Sequence, residues 1–194
     1  MKKIVLAATL LASGLMAADS GIYVGVEYGA AKNTHEFTTD DSYGSSTYDN
    51  DYKDIKFKFG SGTDGGTKYQ GTLSLISYTD PIFDNTNKDL MEFGFDIIKE
   101  FEVTSSFYPF LKIGMGVGTM TVEGYSQDKI LGVSVNAGAG ISYKVVDHLY
   151  LLAGVDYVLR KWQDIEFYSS YYGTTTLSTT DSAFKPYIGA NYRF

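Results

Sequence analysis

The chain has 194 residues, 16 Lys and Arg against 23 Asp and Glu for a formal net charge of −7, and no cysteine. The acidic balance argues against nucleic acid as a partner, because phosphate binding needs a basic patch. The lack of Cys excludes disulfides, thiolate nucleophiles and thiolate metal ligands. The length suits one domain, and Gly, Asp, Lys or Tyr interrupts every apolar stretch before the roughly 20 residues a membrane helix needs.

The first 18 residues read as an export signal: Lys2 and Lys3 make a basic start, residues 4–11 are apolar, and Met16, Ala17 and Ala18 precede a cleavage point. Its removal leaves residues 19–194 as the mature domain and takes the charge from −7 to −9.

Period-two alternation then recurs along the chain. Residues 21–31 set Ile22, Val24, Val26, Tyr28 and Ala30 against Tyr23, Gly25, Glu27 and Gly29. Residues 54–60 set Ile55, Phe57 and Phe59 against Lys56 and Lys58. This strand fixes the phase, since a Lys facing lipid near the midplane costs roughly 2 to 4 kcal/mol, so the lysines face a lumen and the aromatics face outward. Further alternating stretches span 67–78, 89–98, 109–121, 130–143, 148–160 and 185–194. That makes eight strands, each about the 9 to 11 residues that a tilted strand needs to cross a bilayer.

The connections alternate in length. Residues 32–53, 79–88 and 161–183 are long and 123–129 is shorter, whereas 61–66, 99–108 and 144–147 are short or turn-like. Short turns on one side and long loops on the other are the pattern of an outer-membrane barrel with both termini in the periplasm. Tyr69, Tyr143, Tyr192 and Phe194 are expected near the periplasmic end, and Tyr28, Tyr52, Tyr157 and Trp162 near the outer one, as interfacial girdles. The expected fold is all-β, an eight-stranded antiparallel up-and-down transmembrane β-barrel. A secreted sandwich is the competing architecture.

The last strand carries a resemblance. Phe194, Tyr192, Ala190 and Ile188 share one face and the chain stops on an aromatic. In this it resembles the small eight-stranded outer-membrane barrels of Gram-negative bacteria, the OmpA transmembrane domain, OmpX and opacity-protein class of porin-family barrels, over the whole mature chain. The resemblance implies that these four residues are the barrel-assembly signal read by the outer-membrane assembly machinery. It also implies a monomer in contact with outer-membrane lipid and lipopolysaccharide. Unlike full-length OmpA, the chain has no C-terminal peptidoglycan-binding domain, so a cell-wall tether is not implied.

The inward faces carry Glu27, Lys56, Lys58, Lys68, Glu92, Asp96, Lys112, Asp156 and Arg193. Eight strands leave an interior just wide enough for side chains to fill, and buried charges must pair. Glu27, Lys56, Lys58, Glu92, Asp96, Lys112 and Asp156 are therefore expected to form a structural ion network. Asp96 and Lys112, symmetric about position 104, are expected to face each other if the turn centres there. Gly114, Gly116, Gly118, Gly132, Gly138 and Gly140 thin one wall and make room for Tyr23, Phe110, Tyr150 and Tyr187, or leave a water-filled cavity.

No cofactor is implied. The glycines at 114, 116 and 118 lie inside a strand with no helix after it, unlike a nucleotide loop. Asp40, Asp41, Asp49, Asn50, Asp51 and Asp54 offer oxygens of the kind calcium prefers, without EF-hand spacing; a solvated acidic loop is the expectation. The chain's two histidines, His35 in the first loop and His148 in a turn, lack a recognisable nucleophile partner in sequence, so no enzyme activity is expected. The segment bounded by Trp162 and Ala183 is rich in aromatic and β-branched residues and predicts a hairpin protruding above the membrane. Its open edges would suit an extracellular protein partner by strand addition. The expected role is structural or surface-interacting, with a lumen closed by side chains. The alternative is a narrow porin-like channel for ions or small solutes.

Overall fold

The computed structural model describes residues 21–39, 45–83, 86–123, 128–169 and 173–194. The expected export signal, and Asp40 and Asp41 of the acidic loop, lie outside the described residues. Among the described residues ten strands are formed: β1 (Ile22–Thr39), β2 (Ser45–Asp49), β3 (Tyr52–Gly62), β4 (Thr67–Tyr78), β5 (Asp89–Glu100), β6 (Phe107–Thr121), β7 (Lys129–Val146), β8 (Leu149–Trp162), β9 (Ile165–Ser169) and β10 (Gly173–Arg193). With β2 and β9 set aside, the other eight strands pair antiparallel in chain order. The sheet then closes through β1 and β10, from Tyr23↔Arg193 to Thr39↔Leu177. The result is a closed, eight-strand, up-and-down antiparallel barrel.

The outer belt follows from alternation. Val26, Phe57, Leu75, Phe93, Met115, Val133, Leu151 and Ile188, one from each barrel strand, are all exposed large apolar side chains. Glu27, Lys56, Ser74, Asp96, Lys112, Ser134, Asp156 and Lys185, again one per strand, are buried on the inside. A continuous apolar belt this extensive has no place in water and fits hydrocarbon.

Toward the long-loop end the polarity of the two faces inverts while the period of two continues. Ala31, Tyr52, Ile76, Leu90, Met120, Ile130, Val158 and Ala183 are buried inside, while Lys32, Lys53, Ser77, Asp89, Thr121, Lys129 and Lys161 are exposed outside. The physical cause is a change of medium. Where the outside is hydrocarbon the interior can be polar; where the outside is water the interior must be an apolar core, as in any soluble sheet.

Several boundaries differ from expectation. β1 runs to Thr39 rather than ending near residue 31, and β10 begins at Gly173 rather than 185. The extensions pair with each other over Asn33↔Ala183 to Thr39↔Leu177. Their outward residues are Thr, Ser and Glu, so apolar alternation vanishes there even though the strands continue. β2 pairs with this part of β1 and β9 with this part of β10, giving a four-stranded projection in the order β2, β1, β10, β9. β9 and the start of β10 form the expected hairpin, Gly173↔Ser169 to Leu177↔Ile165, but from Leu177 on β10 is joined to β1, so of the hairpin's two strands it is β9 that keeps an open edge.

Asp96 and Lys112 do not face each other: Asp96 lies opposite Gly114 and Lys112 opposite Ile98. The hairpin centres at position 105 because Thr104 and Phe107 bridge across its turn. Tyr52 and Trp162, expected in the outer girdle, are instead buried inside, 3% and 1% exposed. They keep the parity of Asp54 and Arg160 on their own strands, and parity overrules the general affinity of such rings for an interface. Tyr28, Tyr69, Tyr143, Tyr157, Tyr192 and Phe194 do lie exposed on the outer face.

Candidate functional site

The interior is built in three tiers. In the middle one, Lys185 Nζ reaches Asp54 at 2.6 Å, Glu27 at 3.6 Å and Asp156 at 3.7 Å. Lys58 meets Glu27 at 3.4 Å, and Lys112 meets Asp156 at 2.8 Å. The Lys112 ammonium also sits over the Tyr187 ring, 4.5 Å from its centroid. Lys56 is buried in the field of Glu27, Asp96, Asp54 and Asp156. Asp96 accepts from Gln70 Nε2 at 2.8 Å and Asn136 Nδ2 at 3.3 Å rather than from a lysine. The glycine wall gives these groups their room: a Cβ on Gly114 would strike the Asp96 carboxylate, and one on Gly138 the Asp156 carboxylate. The rings of Tyr23, Phe110 and Tyr187 press on Gly60, Gly140 and Gly154.

Two members of this tier, Asp54 and Lys185, were not among the residues expected to form the network. Asp54 ends the acidic stretch of the first loop in the sequence, yet it shares the parity of Lys56 and Lys58. Continuing the alternation by one step would have found it.

At the short-turn end, Asp64 of the β3–β4 turn folds over the barrel mouth. It accepts from Tyr150 at 2.6 Å and Arg193 at 2.5 Å, and meets Lys68 at 3.4 Å. Lys68 donates to Glu100 at 2.8 Å, and Tyr23 donates to Gln70 at 3.0 Å. In the neighbouring β7–β8 turn, a hydrogen bond from Lys144 holds the Asp147 carboxyl below its ordinary range. His148 adopts a positive φ of 74° there, and its Nδ1 lies 2.8 Å from the Arg193 carbonyl oxygen.

The third tier caps the long-loop end, and of the residues expected in the ion network it holds Glu92. Arg160 donates to Glu92 at 3.0 Å, to the Tyr78 hydroxyl at 2.7 Å and to Asp181 at 3.4 Å. Tyr78 in turn donates to Asp181 at 3.1 Å. His35 is not in a loop: it lies in β1, fully buried, with Nδ1 2.5 Å from Asp181. Its Nε2 faces the Asn33 amide at 3.2 Å, not a hydroxyl. Around this polar island pack Tyr52, Ile76, Leu90, Met120, Val158 and Trp162, with Phe83 edge-on to Trp162 at 5.2 Å. Arg160, Glu92, Tyr78, Asp181 and His35 bind one another inside an otherwise apolar cluster, which makes their burial tolerable, while Asn33 Oδ1 and Trp162 Nε1 are buried without a hydrogen-bond partner.

Of the acidic first-loop residues, Asp49 accepts from Thr34 at 2.8 Å and Asp51 binds Lys32. Asn50 uses its amide to clamp the Asp80 peptide, donating to its carbonyl at 2.7 Å and accepting from its N–H at 3.0 Å. Asp80 also accepts from Tyr48, and this bond pushes the Tyr48 hydroxyl pKa up. Lys32, Thr34, Asp49, Asn50, Asp51 and Asp80 line a polar groove of about 350 Å³. Among the described residues no three carboxylate or imidazole groups converge as a metal site. Ile188, Ala190, Tyr192 and Phe194 all lie on the outer face of β10, with Tyr192 edge-on to Phe194 at 5.3 Å.

No family model and no curated protein matches the chain. Solved structures do. Outer membrane protein OprG from Pseudomonas aeruginosa matches with a TM-score of 0.58 at 12% identity, over 90% of this chain and 96% of that one. The outer membrane protein AlkL, determined in lipid bilayers, matches at 0.57 with 11% identity, over 90% of each chain. Neisserial surface protein A matches at 0.53 with 15% identity, over 89% and 97%. At these identities the likeness concerns backbone architecture, and with the closed eight-strand sheet and its apolar belt it gives the conclusion that this chain has the fold of the small eight-stranded bacterial outer-membrane barrels.

Proposed function

We propose that the protein is a non-enzymatic outer-membrane scaffold that holds the four-stranded projection at the cell surface, with its lumen plugged by side chains. The observation that carries this reading is the contact between Tyr78 and Arg160, which reach each other from diametrically opposite strands. The ion-paired tier beneath that contact and the Asp64 turn at the far mouth support the same reading. Ile22 at the start of β1 and Phe194 lie together at the short-turn end, which fits a periplasmic placement of that end with the long loops outside. The enzyme reading lacks support in that His35, though paired with a carboxylate, is sealed inside the cap and meets an amide on its other nitrogen.

The test is single-channel conductance of the refolded mature chain in a planar bilayer, with heat-resistant migration confirming the fold. Silence agrees with the plugged scaffold. Steady openings that change in Lys112→Ala favour a narrow channel for ions or small solutes and overturn it.

A further inference from the structure

We propose that His35 is an acid-operated latch: taking up a proton on Nε2, it turns over the Asn33 amide and loosens the corner of the cap that Asn50 and Asp80 make. The device sits in the cap alone, so it requires neither a closed nor an open lumen.

Hydrogen-bond partners fix the state of the imidazole. The Asp181 carboxylate offers only acceptors, so Nδ1, 2.5 Å from it, carries a proton. Nε2 lies 3.2 Å from Asn33 Nδ2, a donor, and is therefore bare. The orientation of the amide is set independently, because the same Nδ2 also donates to the Asn50 carbonyl at 3.3 Å. Both its hydrogens are used, and Asn33 Oδ1 is buried with no hydrogen-bond partner. The ring is thus neutral.

This state leaves two things unmet. The titratable groups facing His35 are Asp181 on β10, Tyr78 on β4 and Tyr48, its register partner on β2. Behind them stand Arg160 on β8, Glu92 on β5 and Tyr52 on β3. Among these groups Arg160 is the one cation against the carboxylates of Glu92 and Asp181, so the buried island carries one net negative charge. Asn33 Oδ1 lacks a donor besides. A proton on Nε2 answers both, since it balances the charge and, once the amide turns over, is donated to Oδ1. The cost is the bond to Asn50, because Nδ2 then points away from that carbonyl. Each state satisfies what the other lacks, which is the condition for a two-state switch. Imidazole is also the one side chain of the set whose ordinary titration falls between about pH 5 and 8.

The consequence reaches the β4–β5 connection. Asn33 holds Asn50 twice, through its backbone carbonyl to the Asn50 N–H at 2.9 Å and through its side chain to the Asn50 carbonyl. Asn50 in turn grips both sides of the Asp80 peptide, at 2.7 and 3.0 Å. A hydrogen-bonded chain therefore runs from Asp181 through His35, Asn33 and Asn50 to Asp80, out of the barrel interior and into the connection whose Phe83 packs on Trp162. Breaking its middle bond releases one of the two ties on Asn50.

The experiment follows the refolded mature chain in phosphatidylcholine vesicles from about pH 8 to about pH 5 by hydrogen exchange, each rate being divided by its random-coil value at the same pH. Protection of the Asp80 N–H should fall about tenfold on acidification, the consequence of one lost hydrogen bond, while Phe93 and Met115 in the membrane belt keep theirs. His35→Gln should flatten the profile. Asn33→Asp, which accepts from Nε2 and offers Asn50 no donor, should show the low protection already at the alkaline end. His148→Gln, at the opposite end of the barrel, should keep the parent profile. Imidazole nitrogen shifts of the parent read the same event without any substitution, with Nε2 of His35 gaining its proton over the interval in which Asp80 loses protection. A His35 ring that stays in one state throughout, constant protection at Asp80, or a pH profile that survives in His35→Gln would overturn the proposal.

Discussion

Arg160 on β8 donates to the Tyr78 hydroxyl on β4 at 2.7 Å, and these two strands are four positions apart in a ring of eight. One hydrogen bond thus crosses the full diameter of the barrel. The same guanidinium holds Glu92 and Asp181, so it links the charged lumen to the apolar cap.

Removing that guanidinium leaves two carboxylates uncompensated. Arg160→Met should destabilise the folded barrel by about 3–5 kcal/mol, the usual consequence of stranding a buried charge, whereas Tyr78→Phe should cost about 1–3 kcal/mol. Urea unfolding in vesicles measures both. A near-neutral Arg160→Met would mean that the cap is held by apolar packing alone.

Trp162 is the chain's single tryptophan, so its fluorescence reports one site without engineering. It is buried inside the cap instead of lying in an interfacial girdle. Lipids brominated on their acyl chains should leave its emission nearly unchanged, and acrylamide should quench it weakly. Strong quenching by the brominated lipid would place the ring on the outer face and contradict the packing against Phe83.

A side chain at Gly138 would collide with the Asp156 carboxylate, which is fixed by Lys112 and Lys185. Gly138→Val should therefore abolish the heat-resistant migrating form. Gly71→Ala is the control, because a Cβ there meets nothing nearer than a carbonyl oxygen at 3.9 Å, and it should fold as the parent does.

The absence of native cysteine makes single-cysteine labelling clean. Ser46→Cys, on the exposed β2 strand, should react with a membrane-impermeant maleimide on intact cells. Asp147→Cys, in the β7–β8 turn, should react only after the outer membrane is opened. The reverse pattern would invert the proposed orientation.

The outward aromatics at the end of β10 bear on assembly. Phe194→Ser with Tyr192→Ser should reduce the yield of inserted protein in cells by about tenfold while leaving detergent refolding intact, if these rings act as a recognition signal. Equal loss in both settings would assign them to packing against lipid.

Within the membrane the fold was legible because alternation is a local property. Each of the eight crossings repeats a two-residue period, and a single constraint, that Lys56 and Lys58 cannot face lipid, sets the phase. Glu27, Lys112 and Asp156 followed from that phase without any knowledge of partners. Above the belt the period persists but the solvent changes, so the apolar side moves inward and the outward residues become Thr, Ser and Lys. A reading tuned to one apolar face stops at residue 31 on β1 and starts again only at 185 on β10. Who meets whom lay equally beyond reach. Asp96 reaches Gln70 and Asn136 instead of Lys112 because a turn centred one residue later slips the register. His35 meets Asp181, and Arg160 meets Tyr78, only because eight strands close into a ring, and closure sets His35 beside a residue 146 positions away. Local alternation sets the faces; closure of the sheet sets the pairs.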